Sequence, residues 1–270
     1  MNSNYRLLDT GNEKRLEQIG SFRVVRNAKQ AFWRPALSKQ EWDSADAVFD
    51  GEKWEGSLPE CRVHFDKKTF DISLMDGGQL GIFPEQSPNW EWLEKVTASK
   101  DHLIINGFAY TGASTIFAST TTNEVTHLDA SKTSVKRAKI NLGLSGKEEN
   151  SVRFIVDDVI TFLEKEVKRG RRYDGFIFDP PAFGRGAKNK IWKIDRDIPV
   201  LIELINQLSD GRPAFILLSA HEPSMDENYL ADLIKKLCPA NTQIEKGSLI
   251  MNCESGRNIE NGYFARFAVS

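Results

Sequence analysis

From residue 101 onward the chain alternates between short apolar runs and longer stretches of helical period. The runs 102–107, 124–129, 152–157, 173–179 and 213–219 are rich in Ile, Leu, Val and Phe, and their length suits buried strands. Helices are expected between and after them, near 113–119, 131–142, 158–169, 194–208 and 225–237. Ser131 opens the second of these after Asp129 and Gly143 closes it, while Gly170 closes the third. Five strands with four intervening helices predict a parallel, doubly wound sheet. The tail reads differently. Residues 242–251 and 262–268 are strand-like runs joined by Glu254-Ser255-Gly256-Arg257-Asn258, which predicts a terminal antiparallel hairpin on the sheet edge.

The first 83 residues lack this rhythm. Phe22-Arg23-Val24-Val25-Arg26 and Arg62-Val63-His64-Phe65 are short strand candidates, Gly51, Gly56 and Pro59 punctuate between them, and Asp76-Gly77-Gly78 is a turn. Trp33, Trp42 and Trp54 are candidates to fill a small core. The chain is therefore expected to divide into a β-rich module at 1–83, a bridging loop and helix at 84–100, and an α/β domain at 101–270. In the bridge, Ser87 or Asn89 is the candidate cap of a helix whose first turn is Trp90-Glu91-Trp92-Leu93.

Composition narrows the function classes. At 40% hydrophobic and 27% charged, with no apolar run near the roughly 20 residues of a membrane span, the chain is expected to be cytoplasmic. Cys61, Cys238 and Cys253 are far apart and the four histidines do not cluster, so no metal site is expected. A net charge of −2 hides uneven distribution: residues 1–40 hold eight basic and three acidic side chains. Two further basic clusters, Lys165–Arg172 and Arg185–Arg196, are candidate phosphate contacts or solvated faces.

The candidate chemistry sits where the predicted strands end. Phe176-Ile177-Phe178 stops at Asp179, because neither Pro180 nor Pro181 can donate to a sheet ladder. An acid on a stiff extended segment, followed by the ring of Phe183, is a plausible clamp for a planar amine. The first strand exits through Asn106-Gly107-Phe108-Ala109-Tyr110-Thr111-Gly112, which matches neither the dinucleotide glycine spacing nor a Walker loop. Its glycines still permit a tight turn and close backbone approach to a ligand. Asp129 ends the second strand, where an acid takes the two hydroxyls of a ribose or caps the next helix. Asp157-Asp158 ends the third, where one acid suits an adenine amino group and the other a helix cap.

In this order the motifs resemble those of class I S-adenosylmethionine-dependent methyltransferases, and more narrowly the ribosomal RNA large-subunit group that modifies cytosine C5 or guanine N2. The resemblance rests on Phe108–Gly112, His127–Ser131, Asp157-Asp158, Asp179–Gly184 and Gly81–Gln86, and spans roughly residues 80–220. It implies a Rossmann-like, mostly parallel seven-stranded sheet and S-adenosyl-L-methionine as cofactor. Phe108, Ala109, Tyr110, Thr111 and Gly112 are then expected to cradle its methionine part, Asp129 its ribose, and Asp158 or Asp157 its adenine, with Glu85 and Gln86 reaching it from the bridge. Asp179, with the Pro180 carbonyl, is expected to receive a substrate amine, and Phe183 to stack on its ring. A cytosine-C5 enzyme needs a thiolate, yet the exit of the fifth strand reads Leu218-Ser219-Ala220-His221-Glu222, so nitrogen is the favoured acceptor. His221 reads as a base, a substrate contact or a surface residue. RNA is the expected partner, with a small molecule or protein as alternative acceptor. A non-catalytic RNA-binding protein on the same fold is the other alternative.

Overall fold

The computed structural model describes residues 1–98, 100–148, 151–185 and 191–269. It divides into two compact units. The first takes Met1–Ser87 together with Leu144–Gly146 and Ile250–Asn261. Its strands β1 (Tyr5–Gly11), β2 (Lys14–Ile19), β3 (Phe22–Asn27), β4 (Ala47–Phe49) and β5 (Trp54–Gly56) form one sheet in that order. All neighbours are antiparallel except β3 and β4. Helix α1 (Lys39–Asp43) is opened by a capping box between Ser38 and Glu41, and β6 (Cys61–Phe65) and β7 (Lys68–Ile72) make a separate hairpin. The three tryptophans do not share one core. Trp33 packs with Leu7, Ala31 and Met251, Trp42 with Leu8, Leu16 and Val25, and Trp54 lies 5.4 Å from the Phe49 ring.

This sheet buries charge. Glu17 is fully buried and takes both Nε and Nη2 of Arg26, at 2.6 and 2.7 Å, and the Tyr5 hydroxyl at 2.7 Å. Burial alone raises the Glu17 pKa, but Arg15 and Arg26 overcome it and hold the acid down at about 2. Such a group is tolerated only because its partners satisfy it.

The second unit holds Pro88–Gly143, Lys147–Leu249 and Gly262–Ser270. After α2 (Ser87–Thr97) it runs β8 (Leu103–Gly107), α3 (Ala113–Ala118), β9 (Glu124–Asp129), α4 (Lys132–Leu144), β10 (Val152–Val156), α5 (Val159–Lys168) and β11 (Gly175–Phe178). A short ribbon of β12 (Phe183–Arg185) and β13 (Ile191–Lys193) follows, then α6 (Ile194–Leu208), β14 (Phe215–Ala220), α7 (Glu227–Lys235), β15 (Glu245–Met251) and β16 (Ile259–Ala268). The seven-stranded sheet has the order β10-β9-β8-β11-β14-β16-β15. Its first five members are parallel, and β16 runs antiparallel to β14. The terminal hairpin is thus present, with β16 inserted next to β14 and β15 on the edge. The expected helix α2 is present too, but it starts at Ser87 directly after a 3₁₀ turn at Pro84–Gln86, so neither Ser87 nor Asn89 caps it from outside.

Apolar runs became strands because both faces are covered. Phe176, Phe178, Ile216 and Leu218 are inaccessible, packed with Ile198, Leu201 and Ile205 of α6 and Leu230 and Ile234 of α7, while the equally buried Phe215 meets the rings of Trp92 in α2 and His102. The parallel register fixes where the strands finish. Leu128, Gly107, Phe178 and Leu218 lie in one row across β9, β8, β11 and β14. The next residue on each strand therefore falls on one sheet edge: Asp129, Phe108, Asp179 and Ser219. Val156, paired with Asp129, puts Asp157 just beyond it on β10. The strand order reverses between β8 and β11, the position where open α/β sheets bind ligands.

Candidate active site

The loop after β8 is held in an unusual shape. Phe108 and Tyr110 have φ of 56° and 48°, and Gly112 has φ of 90°. L-residues in this left-handed region cost about 1–2 kcal/mol each, and such strain persists only where the surroundings fix it. Asp129 supplies part of that fixing. Its Oδ2 accepts the Tyr110 N–H and its Oδ1 the Ser131 N–H, both at 2.8 Å. Burial raises the Asp129 pKa, while the bonds from Ser131 and Tyr110 resist the shift. Both readings of Asp129 therefore coexist, since it braces the start of α4 and has acceptor positions left over. Ser131 completes the cap by accepting the Ser134 N–H at 3.1 Å.

The two glycines of the loop serve packing more directly than ligand approach. A Cβ at Gly107 sits 2.4 Å from the Phe178 ring, so its absence lets β11 press against β8. A Cβ at Gly112 sits 2.9 Å from Ala138, which lets the loop turn tightly over α4. Ala109 and Thr111 are buried, and the Thr111 carbonyl accepts the Asn141 amide at 2.9 Å. Beneath the loop runs a buried polar chain: the Asn106 amide donates to the Thr115 hydroxyl, which bonds His127 Nδ1, both at 2.8 Å. Burial drives the His127 pKa down to about 3, with a backbone bond at Tyr110 opposing it, so the ring is neutral.

On β10 the acids divide their work. Asp158 caps α5, its Oδ1 accepting both the N–H and the hydroxyl of Thr161 at 2.9 and 2.7 Å. Asp157 uses Oδ1 for the Asp158 N–H and Oδ2 for Lys165, at 2.9 and 2.6 Å. Lys165 and Arg169, which is bonded to Glu166, belong to the second basic cluster, so part of that cluster is neutralised by its own helix. In the third, Arg196 pairs with Asp197, while Lys188 and Lys190 lie outside the described residues.

Asp179 is half-buried and engaged from β14. The Ser219 hydroxyl donates to Oδ1 at 2.7 Å, and His221 Nε2 stands 3.4 Å from Oδ2. His221 is thus a neighbour of the clamp acid rather than an isolated surface residue. Pro180 is buried and Phe183, on β12, is 52% exposed. Trp192 joins the two sides of the strand-order reversal. Its indole N–H donates to the Pro181 carbonyl at 2.7 Å, and its ring lies 4.7 Å from that of Phe108. The Phe108 side chain therefore packs on the Trp192 ring. Neither Ser219 nor Trp192 was marked by a motif. The signal for Ser219 was its place one residue past the apolar run of β14; for Trp192 it was an isolated ring between Ile191 and Lys193.

Glu85 and Gln86 lie in the 3₁₀ turn of the first unit, where both are buried and the Asn261 amide donates to the Glu85 carboxylate. Among the described residues there is no cluster of metal-ligating side chains and no helix long and apolar enough to cross a membrane.

The donor set fits S-adenosylmethionine. Asp129 keeps acceptor capacity for two hydroxyls, Asp158 Oδ2 for an amino group, and the strained Phe108–Gly112 backbone for a polar tail.

Comparison with known proteins gives the same answer. Residues 30–248 match the family described as S-adenosylmethionine-dependent methyltransferase. The crystal structure of a SAM-dependent methyltransferase from Agrobacterium tumefaciens superposes with a TM-score of 0.90 at 30% identity, covering 98% of this chain and 90% of that one. Ribosomal RNA large subunit methyltransferase I of Pseudoalteromonas translucida is 26% identical over 68% of this chain and 46% of its own length. Ribosomal RNA large subunit methyltransferase K/L of Pseudomonas putida is 27% identical over 77% of this chain and 28% of its own length. The chain thus spans less than half of each of these two relatives. Matched over most of its length by the family and by a solved member, the chain belongs to the S-adenosylmethionine-dependent methyltransferases.

Proposed function

We propose that this chain transfers a methyl group from S-adenosylmethionine to a nitrogen of a base in RNA. The observation that carries the proposal is the row of Asp129, Phe108, Asp179 and Ser219 on one sheet edge. It sets a cofactor-holding loop next to an acid suited to an amine. When bound, the cofactor supplies an electrophilic methyl group on a sulfonium. The Phe108–Gly112 backbone and Asp129 hold it, and Asp158 rather than Asp157 takes its adenine, because Asp158 uses Oδ1 alone for Thr161 while Asp157 is committed through Oδ2 to the Lys165 ammonium.

The acceptor side follows from Asp179. An exocyclic amine shares its lone pair with the ring. Donating its protons to Asp179 and to the Pro180 carbonyl localises that pair on nitrogen and disperses the positive charge that develops there. Ser219 and His221 fix the carboxylate so that it need not reorient. Phe183 offers its exposed ring to the base, a contact worth about 1–3 kcal/mol in comparable sites. The absence of cysteine from the β14 exit supports nitrogen over carbon. RNA as acceptor is supported by the relatives, whose names assign them to ribosomal RNA.

Asp179→Ala tests the clamp. It is expected to abolish methyl transfer to RNA while S-adenosylhomocysteine still binds as it does to the parent. Full turnover in the variant sinks the amine-clamp role.

A further inference from the structure

The first unit carries an aromatic feature that the methyl-transfer reading leaves unused. Phe32 is 80% exposed, more than any other large apolar side chain among the described residues. This exposure does not come from a loose backbone. On one side of Phe32, the Ala31 carbonyl accepts the Glu13 N–H at 2.7 Å; on the other, the Trp33 carbonyl accepts the Asn12 N–H at 2.8 Å. Trp33 is anchored again through its indole N–H, which donates to the Thr10 carbonyl at 3.0 Å. Its ring meets Phe32 edge-on at 5.5 Å and 67°, and the Arg257 guanidinium lies 5.5 Å above it. The Arg257 backbone is held in turn, its carbonyl accepting the Thr10 hydroxyl at 2.6 Å.

The surroundings are polar and carry both signs of charge, with exposed Glu13 beside Ala31 and cations flanking the rings. Lys29 and Arg34 are exposed on the same loop, one on each side of the rings in sequence, with Gln30 next to Lys29. A protein interface of this kind wants a wider apolar centre, which these neighbours do not offer. A fixed ring, a guanidinium stacked beside it and flanking cations are the components that hold single-stranded nucleic acid. Bases stack on the ring and phosphates meet the cations. The loop is also tied to the 3₁₀ turn of the same unit: Gln30 donates to Asn261 Oδ1 at 3.1 Å, and Asn261 donates to Glu85.

We propose that Phe32, Trp33 and Arg257 form a stacking platform for a single-stranded segment of the RNA substrate. The proposal rests on the RNA reading above. The test is fluorescence anisotropy with a labelled mixed-sequence single-stranded RNA at several salt concentrations, alongside titration with S-adenosylhomocysteine and sedimentation. The parent protein binds the RNA with salt-dependent affinity, and Phe32→Ala weakens it by about 5- to 150-fold, the range of one lost stacking contact. Phe32→Trp retains affinity, Phe32→Leu does not, and Arg257→Gln weakens binding with a shallower salt slope. S-adenosylhomocysteine affinity and the melting midpoint stay at parental values in Phe32→Ala, since that side chain supports no core. If the parent binds RNA and Phe32→Ala binds equally well, the platform falls and the RNA reading stands. If the parent shows no RNA affinity, both fall. A Phe32-dependent dimer without RNA affinity overturns the proposal in favour of a protein interface.

Discussion

Replacing Asp129 removes one group with two jobs. Its carboxylate accepts two backbone N–H groups, from Tyr110 and Ser131, at 2.8 Å each. Of its roughly four lone-pair positions, two remain for a pair of ribose hydroxyls. A hydrogen bond to a charged group contributes about 1.5–3 kcal/mol, so losing both costs about 3–6 kcal/mol of cofactor affinity. Alanine also strips the Tyr110 N–H of its acceptor, in a loop where Phe108 and Tyr110 both have positive φ. The strained loop then relaxes, and the affinity it owes to being preformed declines as well. Asparagine separates the two effects. It keeps an acceptor for Tyr110 but loses the charge and half the acceptor capacity. In calorimetric titration with S-adenosylhomocysteine, Asp129→Ala is expected to weaken binding about 100-fold or more and Asp129→Asn about tenfold. The ligand-free melting midpoint should fall further for alanine, which loses both acceptors, than for asparagine, which loses one. Binding of both variants within about threefold of the parent refutes the ribose role, because even one charged hydrogen bond exceeds that. Equal losses in both variants, with equal melting midpoints, refute the loop-bracing role.

Two more outcomes follow from buried charge. The His127 pKa is pushed from an ordinary 6.5 to about 3, first by burial, so the unfolded chain binds a proton that the folded chain refuses between those values. The stability this gives is complete above pH 6.5 and is lost on acidification at about 1.4 kcal/mol per pH unit, or about 2 kcal/mol by about pH 5. Urea unfolding of the parent against His127→Gln checks this: the parent should lose that much more than the variant, and parallel pH profiles contradict it. Glu17→Gln leaves the buried Arg26 guanidinium without its counter-charge and is expected to destabilise the first unit by about 3–5 kcal/mol. A shift of the urea midpoint worth less than about 1 kcal/mol shows that Arg26 is satisfied by other groups.

The parallel half of the sheet was legible because burial on both faces leaves unbroken apolar runs. Ile104–Ile105, Phe176–Phe178 and Phe215–Leu218 announce themselves without help from their neighbours. β1 and β2 did not, for the opposite reason. Arg15 and Glu17 sit inside the sheet, so the Lys14–Ile19 segment reads as a charged surface while its side chains are buried. Only the cross-strand partners, Arg26 on β3 and Tyr5 on β1, make that pattern sensible, and no rule within a single strand shows it. The same limit applied at the site. The acids at strand ends were visible because each terminates an apolar run. Their hydrogen-bond partners were not: Ser219 lies 40 residues from Asp179 in sequence and meets it only through the β11–β14 register. Positive φ at Phe108 and Tyr110 was equally hidden, since neither is a glycine, and it marks the proposed cofactor loop more sharply than the glycines do.

The central claim is a choice of acceptor atom, made by Asp179, Ser219 and Phe183 beside a cofactor loop. It is tested most directly by incubating the protein and RNA with S-adenosylmethionine labelled in its methyl group and analysing the digested nucleosides by mass spectrometry. The account predicts the label on a base nitrogen, absent when Asp179→Ala replaces the parent. Label on a ring carbon, on a ribose oxygen, or none in RNA while another acceptor is methylated contradicts it.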